Sequence, residues 1–212
     1  MADKRIIQAV ENVLKQSKKR KFSESVELSI NLKDIDLSIP KNRIDDEIIL
    51  PKGRGKDIKI VVFGSGELAL KAKAVANLVI QPEELESIAK DKREARKMVN
   101  AHDFFIAEAP MMPEIGKTLG IILGPRGKMP KPIPPQADPA PMITNLKKTI
   151  RLRSKERRTF HAPIGTRNMS VDELVENIET VLNRLESKLE RGRQNIASVF
   201  VKTTMGPAVR VI

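Results

Sequence analysis

Two half-buried strands stand at opposite ends of this 212-residue chain, and neither end carries enough apolar surface to close a core by itself. Near the start, Val26, Leu28, Ile30 and Leu32 alternate with Glu27, Ser29, Asn31 and Lys33, the period of a strand with one wet face. Near the end, Val199, Val201 and Thr203 alternate in the same way with Ser198, Phe200 and Lys202. Each strand has one amphipathic helix before it. Ile6, Val10, Val13, Leu14 and Ser17 form the first apolar stripe, and Val171, Leu174, Val175, Ile178, Val181, Leu182, Leu185 and Leu189 form the second. Ser170 and Glu173 make a capping box for the later helix, which Gly192 is expected to end. A further extended run covers about Ile44 to Leu50. Pieces this small need each other. Residues 1–59 and 154–212 are therefore expected to form one discontinuous α+β domain of roughly four strands and two helices. Residues 60–153 are then an insertion, entered and left through basic, breaker-rich joints near Arg54 and Arg153.

The middle of the chain has a different character. Ile58–Phe63 is nearly continuously apolar, as in a strand buried on both faces, and Gly64-Ser65-Gly66 leads from it into a helix. Leu78–Ile80, two helical stretches from Pro82 to Val99, a strand near Phe104–Ile106 and a helix from about Pro113 follow. This alternation predicts a small Rossmann-like parallel α/β domain. From Leu123 to Pro141, Gly and Pro are so dense that a long ordered loop packed on the domain, or a stiff extended one, is expected, followed by a helix over about Met142–Ile150. The basic strip Arg151–Arg158 then leads into a strand through Phe160.

Charge narrows the function. There are 39 Lys+Arg against 27 Asp+Glu, a net +12, which points to a polyanionic partner. A membrane fits poorly, since no apolar run is long enough to span one. Met1-Ala2-Asp3-Lys4 holds no apolar signal core, so a cytosolic chain is expected. Zero Cys excludes thiolate chemistry and a disulfide framework. Aromatic residues make up only 3%, with no Trp or Tyr, which argues against stacked aromatic platforms for bases. Nucleic acid would have to be met through backbone geometry, cations and a few apolar contacts. The positive excess is spread along the chain and does not locate a site.

Motifs that promise enzymatic chemistry are incomplete. Gly64-x-Gly66-x-x-Ala69 after a strand, with Glu83 downstream, fits a relaxed dinucleotide fingerprint and is the best enzyme lead, but no catalytic partner accompanies it. Gly116-Lys117-Thr118 lacks the first glycine of a phosphate loop, and Gly124-Pro125-Arg126-Gly127-Lys128 is followed by Met129 where a hydroxyl is required. That second loop is expected to be a rigid basic surface. His102 and His161 have no ligands at metal spacing, so neither metal nor cofactor is expected. A nucleotide-dependent enzyme and a DNA-binding regulator remain the alternatives to an RNA-binding protein.

Thr203-Thr204-Met205-Gly206-Pro207 closes the last strand. Gly lets the backbone approach a partner, Pro fixes its own φ, the hydroxyls can hydrogen-bond, and Met can slide along an apolar face. Together with Lys21-Phe22-x-Glu24-Ser25-Val26-Glu27, Gly116-Lys117-x-Leu119-Gly120, Leu123–Pro130 and His161-Ala162-Pro163-Ile164-Gly165, it resembles the family of the first-numbered protein of the large ribosomal subunit, on its archaeal branch. The resemblance implies a two-domain fold, a discontinuous RNA-binding domain with an inserted α/β domain. It implies binding to the ribosomal RNA stalk beside the exit site, support of deacylated transfer-RNA release, and repression of translation through the protein's own messenger RNA. By motif it places the RNA surface at Lys21, Phe22, Ser25 and Glu27 with Thr203, Thr204, Met205, Gly206 and Pro207, extended by Arg153, Lys155, His161 and Thr166. Partners would be stalk ribosomal RNA, messenger RNA, exit-site transfer RNA and the ribosome in the cytoplasm. The free protein would be a monomer without a cofactor.

Overall fold

The computed structural model describes residues 4–18 and 20–212; the start at Met1–Asp3 and Lys19 of the basic run lie outside the described residues. In chain order the elements are α1 (Lys4–Gln16), β1 (Ser25–Leu32), β2 (Asp45–Ile49), β3 (Ile60–Phe63), α2 (Gly66–Lys73), β4 (Leu78–Ile80), α3 (Pro82–Lys90), α4 (Lys92–Ala101) and β5 (Phe104–Glu108). They continue with α5 (Met112–Thr118), α6 (Gly120–Arg126), β6 (Lys131–Ile133), α7 (Pro139–Lys148), β7 (Thr149–Arg153), β8 (Thr159–Thr166), α8 (Val171–Lys188), β9 (Ile196–Thr203) and β10 (Ala208–Arg210). The chain forms two compact units, one of Met1–Lys56 with Lys148–Ile212 and one of Asp57–Lys147.

In the first unit the two chain ends interleave. The sheet order is β10-β9-β1-β8, antiparallel throughout, so β1 from the start lies between two strands from the end. Val26, Leu28, Ile30 and Leu32 point to one face with Val199, Val201, Phe160, Ala162 and Ile164. The helices α1 and α8 pack on that face through Ile6, Val10, Val13, Leu174, Ile178, Val181 and Leu185. Ser170 and Glu173 form the expected reciprocal cap. The opposite face carries Glu27, Ser29, Asn31, Phe200, Lys202 and His161, none of which belongs to the helix-packed core. A separate antiparallel ribbon pairs β2 with β7, from Asp45↔Arg153 to Ile49↔Thr149. β7, inside the stretch expected to be inserted, thus falls with the chain ends because its hydrogen-bond partner is β2. The count of four strands was low for the same reason, and because β10 is only three residues long. The helix α8 stops at Lys188, before Gly192, which instead opens a short 3-10 turn at φ +53.

The second unit is a doubly wound parallel sheet of order β4-β3-β5-β6. All four residues of β3 are buried, and they divide by parity. Val61 and Phe63 join the core with α3, α4, α5 and α6, whereas Ile60 and Val62 join the core with α2 and α7. The long loop expected over Leu123–Pro141 is absent. That segment contains the end of α6, all of β6 and the start of α7. Two of the prolines sit where a missing N–H costs little, Pro132 on the edge strand β6 and Pro139 at the first position of α7, whereas Pro125 lies inside α6 one residue before its end. Gly127 adopts φ +67 and donates to Gly124 O, while Lys128 N–H donates to Leu123 O, so the helix ends in a Schellman turn.

Candidate nucleic-acid interface

The β9–β10 hairpin places the Thr203–Pro207 turn at the end of the sheet where β1 begins. Val26 pairs with Thr203 on one side of β1, and Ser25 pairs with Thr166 on the other. Beyond the ladder, both the amide and the hydroxyl of Thr204 donate to Ser25 O, at 3.0 and 3.2 Å, and Gly206 N–H donates to Thr203 O at 3.2 Å. The turn is therefore tied down along its length while its upper side faces solvent. Met205 is 61% exposed and Phe22 55% exposed, and Lys21, Thr204 and Pro207 are exposed with them. Ser25, Glu27 and Gly206 are half-buried at the edge of this surface.

Two of the expected contact residues lie inside the fold. Thr203 is fully buried, with no hydrogen-bond partner for Oγ1 among the described residues, and Thr166 is 5% exposed. A Cβ at Gly206 would collide with Thr203 Oγ1, so glycine is what allows the turn to lie flat on Thr203. Gly55, at φ +62, likewise packs against Thr166 Oγ1 and Met169 Sδ, which fixes the loop after Leu50 to the same end of the sheet. Asn177, fully buried on α8, holds that loop by donating to Gly53 O and Ile164 O while accepting from Lys52 N–H.

Beneath the turn is Glu24, 1% exposed. Its Oε1 accepts from Met205 N–H at 3.3 Å and from Arg20 Nε at 3.1 Å, and its Oε2 accepts from Ser17 Oγ at 3.2 Å. Arg167 stands 4.0 Å from Oε2, donates its backbone N–H to Glu24 O, and caps the end of the α1 segment by donating to the Ser17 and Lys18 carbonyls. None of Ser17, Arg20, Glu24 or Arg167 was expected in the site. One signal in the sequence pointed to Glu24: it shares the inward parity of Val26, Leu28, Ile30 and Leu32, and a carboxylate in that register is out of place unless partners surround it.

Arg153 and Lys155 do not join this cluster. The turn from β7 into β8 lies at the other end of the sheet, next to the Asn31↔Thr159 pair, six residues of β1 from Ser25 and so about 20 Å away at ~3.4 Å per residue. There Arg43, Arg153, Lys155 and Arg157 line an open groove of about 620 Å³ with Asp45 and Glu156. Lys155 has φ +52, which turns the backbone sharply. Arg151 donates two hydrogen bonds to Asp45, each 2.9 Å, and this pairing holds the Asp45 carboxyl below its ordinary 3.8. His161 lies between the two poles, exposed on the open face opposite Ser29.

The enzyme leads fail on geometry. At the start of α2, where a dinucleotide phosphate would lie, the buried Glu108 from β5 accepts from Ser65 N–H at 2.9 Å and Ser65 Oγ at 2.8 Å. A carboxylate of the chain itself thus fills the anion position. Gly116 and Lys117 are inside α5, so their amides serve that helix. Lys128 is a cap: its ammonium donates to Val99 O and His102 O at the end of α4, and burial lowers its pKa. No group of three His, Cys, Asp or Glu that could hold a metal occurs among the described residues, and no described helix is long and apolar enough to cross a membrane.

Residues 14–207 match the model of the family described as "Ribosomal protein L1p/L10e family". The chain is 58% identical over 203 residues to the large ribosomal subunit protein uL1 of Thermoplasma acidophilum, covering 96% of this chain and 94% of that protein. It is 56% identical to that of Methanocella arvoryzae over 213 residues, the full length of both. It is 52% identical to that of Archaeoglobus fulgidus over 209 residues, 98% of this chain and 97% of that one.

Proposed function

The chain belongs to the ribosomal protein L1p/L10e family, whose members are structural proteins of the large ribosomal subunit and not enzymes, and we propose that it grips a helix junction of the stalk ribosomal RNA with the Thr203–Pro207 turn. The observation that carries this reading is a turn tied from below at Thr204, Met205 and Gly206 that still exposes Met205 and Thr204 beside Lys21 and Phe22. RNA helices are recognised by shape, through 2′-hydroxyls and phosphates, and a pre-ordered surface forfeits little entropy on binding. Lys21, Phe22, Ser25, Glu27, Thr204, Met205, Gly206 and Pro207 make the direct contacts. Thr166 and Thr203 support them from beneath, and His161 extends the surface along the open face. The unit built from the two chain ends is the RNA-binding domain, and the Asp57–Lys147 unit is the inserted one.

The second, basic pole supports the finer part of the function. Arg153 and Lys155, about 20 Å from the turn by strand rise, suit phosphates held loosely, as in an exit-site transfer RNA that must leave. The turn would hold ribosomal RNA durably, and the basic groove would meet deacylated transfer RNA transiently. A messenger RNA that imitates the stalk junction would occupy the same turn, which makes the free protein a repressor of its own translation in the cytoplasm.

The test is a titration of a stalk-junction RNA fragment at several salt concentrations. Met205→Ala is expected to weaken binding by about 1–3 kcal/mol without altering the salt slope. Arg153→Ala with Lys155→Ala should leave stalk affinity nearly intact and weaken transfer-RNA binding in a salt-dependent way. The opposite ranking would overturn the assignment of the turn.

A further inference from the structure

We infer that Glu24, a residue that does not face the RNA, is the positioning residue of the interface, and that Arg20 is a phosphate contact which Glu24 aims. This rests on the stalk-RNA reading above. A carboxylate that is 1% exposed is costly to bury unless its lone pairs are used and its charge is met, and here three hydrogen bonds and one ion pair do so. Ser17 comes from the end of α1, Arg20 from the α1–β1 linker, Met205 from the hairpin turn, and Arg167 from the turn after β8. The bond to Met205 N–H sets the backbone of the residue that presents the most exposed apolar side chain of the turn. The bond to Arg20 holds the guanidinium by its Nε edge, and the side chain stays 35% exposed. Arg20 Nη1 and Nη2 have no partner among the described residues, so the two-nitrogen edge that suits a phosphate is presented on the linker that leads to Phe22. A single buried carboxylate thus fixes both an apolar contact and a cationic one through the same oxygen, Oε1. Gln would keep that acceptor but lose the negative charge that draws in the Arg20 and Arg167 guanidiniums, and its amide N–H₂ would stand in place of Oε2 beside Arg167; Asp is one methylene short.

The experiment uses the full-length protein and compares Glu24→Gln and Arg20→Met with the wild type. Hydrogen exchange is followed at the Met205 amide and at Val199 and Val201 of β9, and the stalk-junction RNA fragment is titrated at three salt concentrations. For Glu24→Gln, exchange at Met205 should accelerate at least tenfold while Val199 and Val201 keep wild-type protection, and RNA affinity should fall about tenfold or more. A merely structural role would instead raise exchange throughout β9. For Arg20→Met, Met205 exchange should stay as in the wild type, affinity should fall a few-fold, and the salt slope should drop by about one. The Arg20 variant keeps the proposal testable even if Glu24→Gln fails to fold. Wild-type affinity in Glu24→Gln with Met205 released would overturn the positioning role, and an unchanged slope in Arg20→Met would overturn the phosphate contact. Failure of the wild type to bind the fragment would instead refute the stalk-RNA reading, and the exchange result stands apart from it.

Discussion

Replacing Gly206 with Ala asks whether the shape of the turn, rather than its charge, makes the interface. The new methyl would run into Thr203 Oγ1 and lie 3.6 Å from Ser17 Cβ. Thr203 is fully buried and paired across from Val26, so it cannot withdraw. The turn must therefore rise by about 1 Å to regain ordinary van der Waals separation, and Met205 moves with it. Overpacking of this kind costs about 1–3 kcal/mol. In a unit of roughly 120 residues each kcal/mol lowers the melting temperature by about 3–5 °C, so thermal unfolding should show a drop of roughly 3–15 °C. Stalk-RNA affinity should fall about tenfold or more, because a shape-read contact loses complementarity when its highest point moves by an ångström. Thr203 Oγ1 has no partner among the described residues, so removing it breaks no hydrogen bond. Adding Thr203→Ala to Gly206→Ala should then recover at least about 1 kcal/mol relative to the sum of the single changes. A Gly206→Ala protein with wild-type stability and affinity, or a strictly additive double variant, would refute the reasoning.

Asn177→Ala leaves Lys52 N–H, Gly53 O and Ile164 O without their shared partner inside the fold and should cost about 2–5 kcal/mol in urea denaturation; a cost below about 1 kcal/mol would show that the loop is held otherwise. Asp45 has a folded pKa below 3.8 because Arg151 hydrogen-bonds it, so its contribution is present above that value and lost as the pH falls through the depressed one. Asp45→Asn should flatten the acid limb of a melting-versus-pH profile while costing less than about 1 kcal/mol near neutrality, since the pair is largely exposed; superimposable acid limbs would contradict this. Lys128→Ala removes the cap on Val99 O and His102 O and should lower the stability of the Asp57–Lys147 unit by about 1–2 kcal/mol with RNA affinity unchanged, whereas a salt-dependent loss of affinity would make Lys128 an RNA contact.

The parts of the fold legible in the sequence were those with a strong period. Alternation in Val26–Leu32 and Val199–Thr203 defined β1 and β9, the 3.6-residue stripe and its capping box defined α8, and the unbroken apolar run gave β3 its place inside a parallel sheet. Proline density hides regular structure because its cost depends on position: at the first turn of α7 and on the edge strand β6 a proline forfeits no needed hydrogen bond, and Pro125 falls only one residue before α6 ends. β7 was hidden among charges. Its inward residues Ile150 and Leu152 are buried in the core, but its outward residues Arg151 and Arg153 pair with Asp45 on β2 and continue into a basic run, so the short alternation is masked by charge. At the site, the exposed turn was legible from its composition, but the separation of Arg153 and Lys155 from it depends on strand register, which no local pattern specifies. Glu24 escaped for a related reason: charge near a basic run looks like a solvated surface until its parity with the core of β1 is counted.

The most direct measurement is hydroxyl-radical footprinting of the stalk ribosomal RNA bound by the wild type and, at concentrations adjusted for equal occupancy, by Met205→Asp. A patch of protected riboses at the helix junction is expected with the wild type, and its part nearest the turn should disappear in the variant while protection elsewhere persists. An identical footprint for the two proteins, or protection that follows Arg153 and Lys155 instead, would contradict recognition by the Thr203–Pro207 turn.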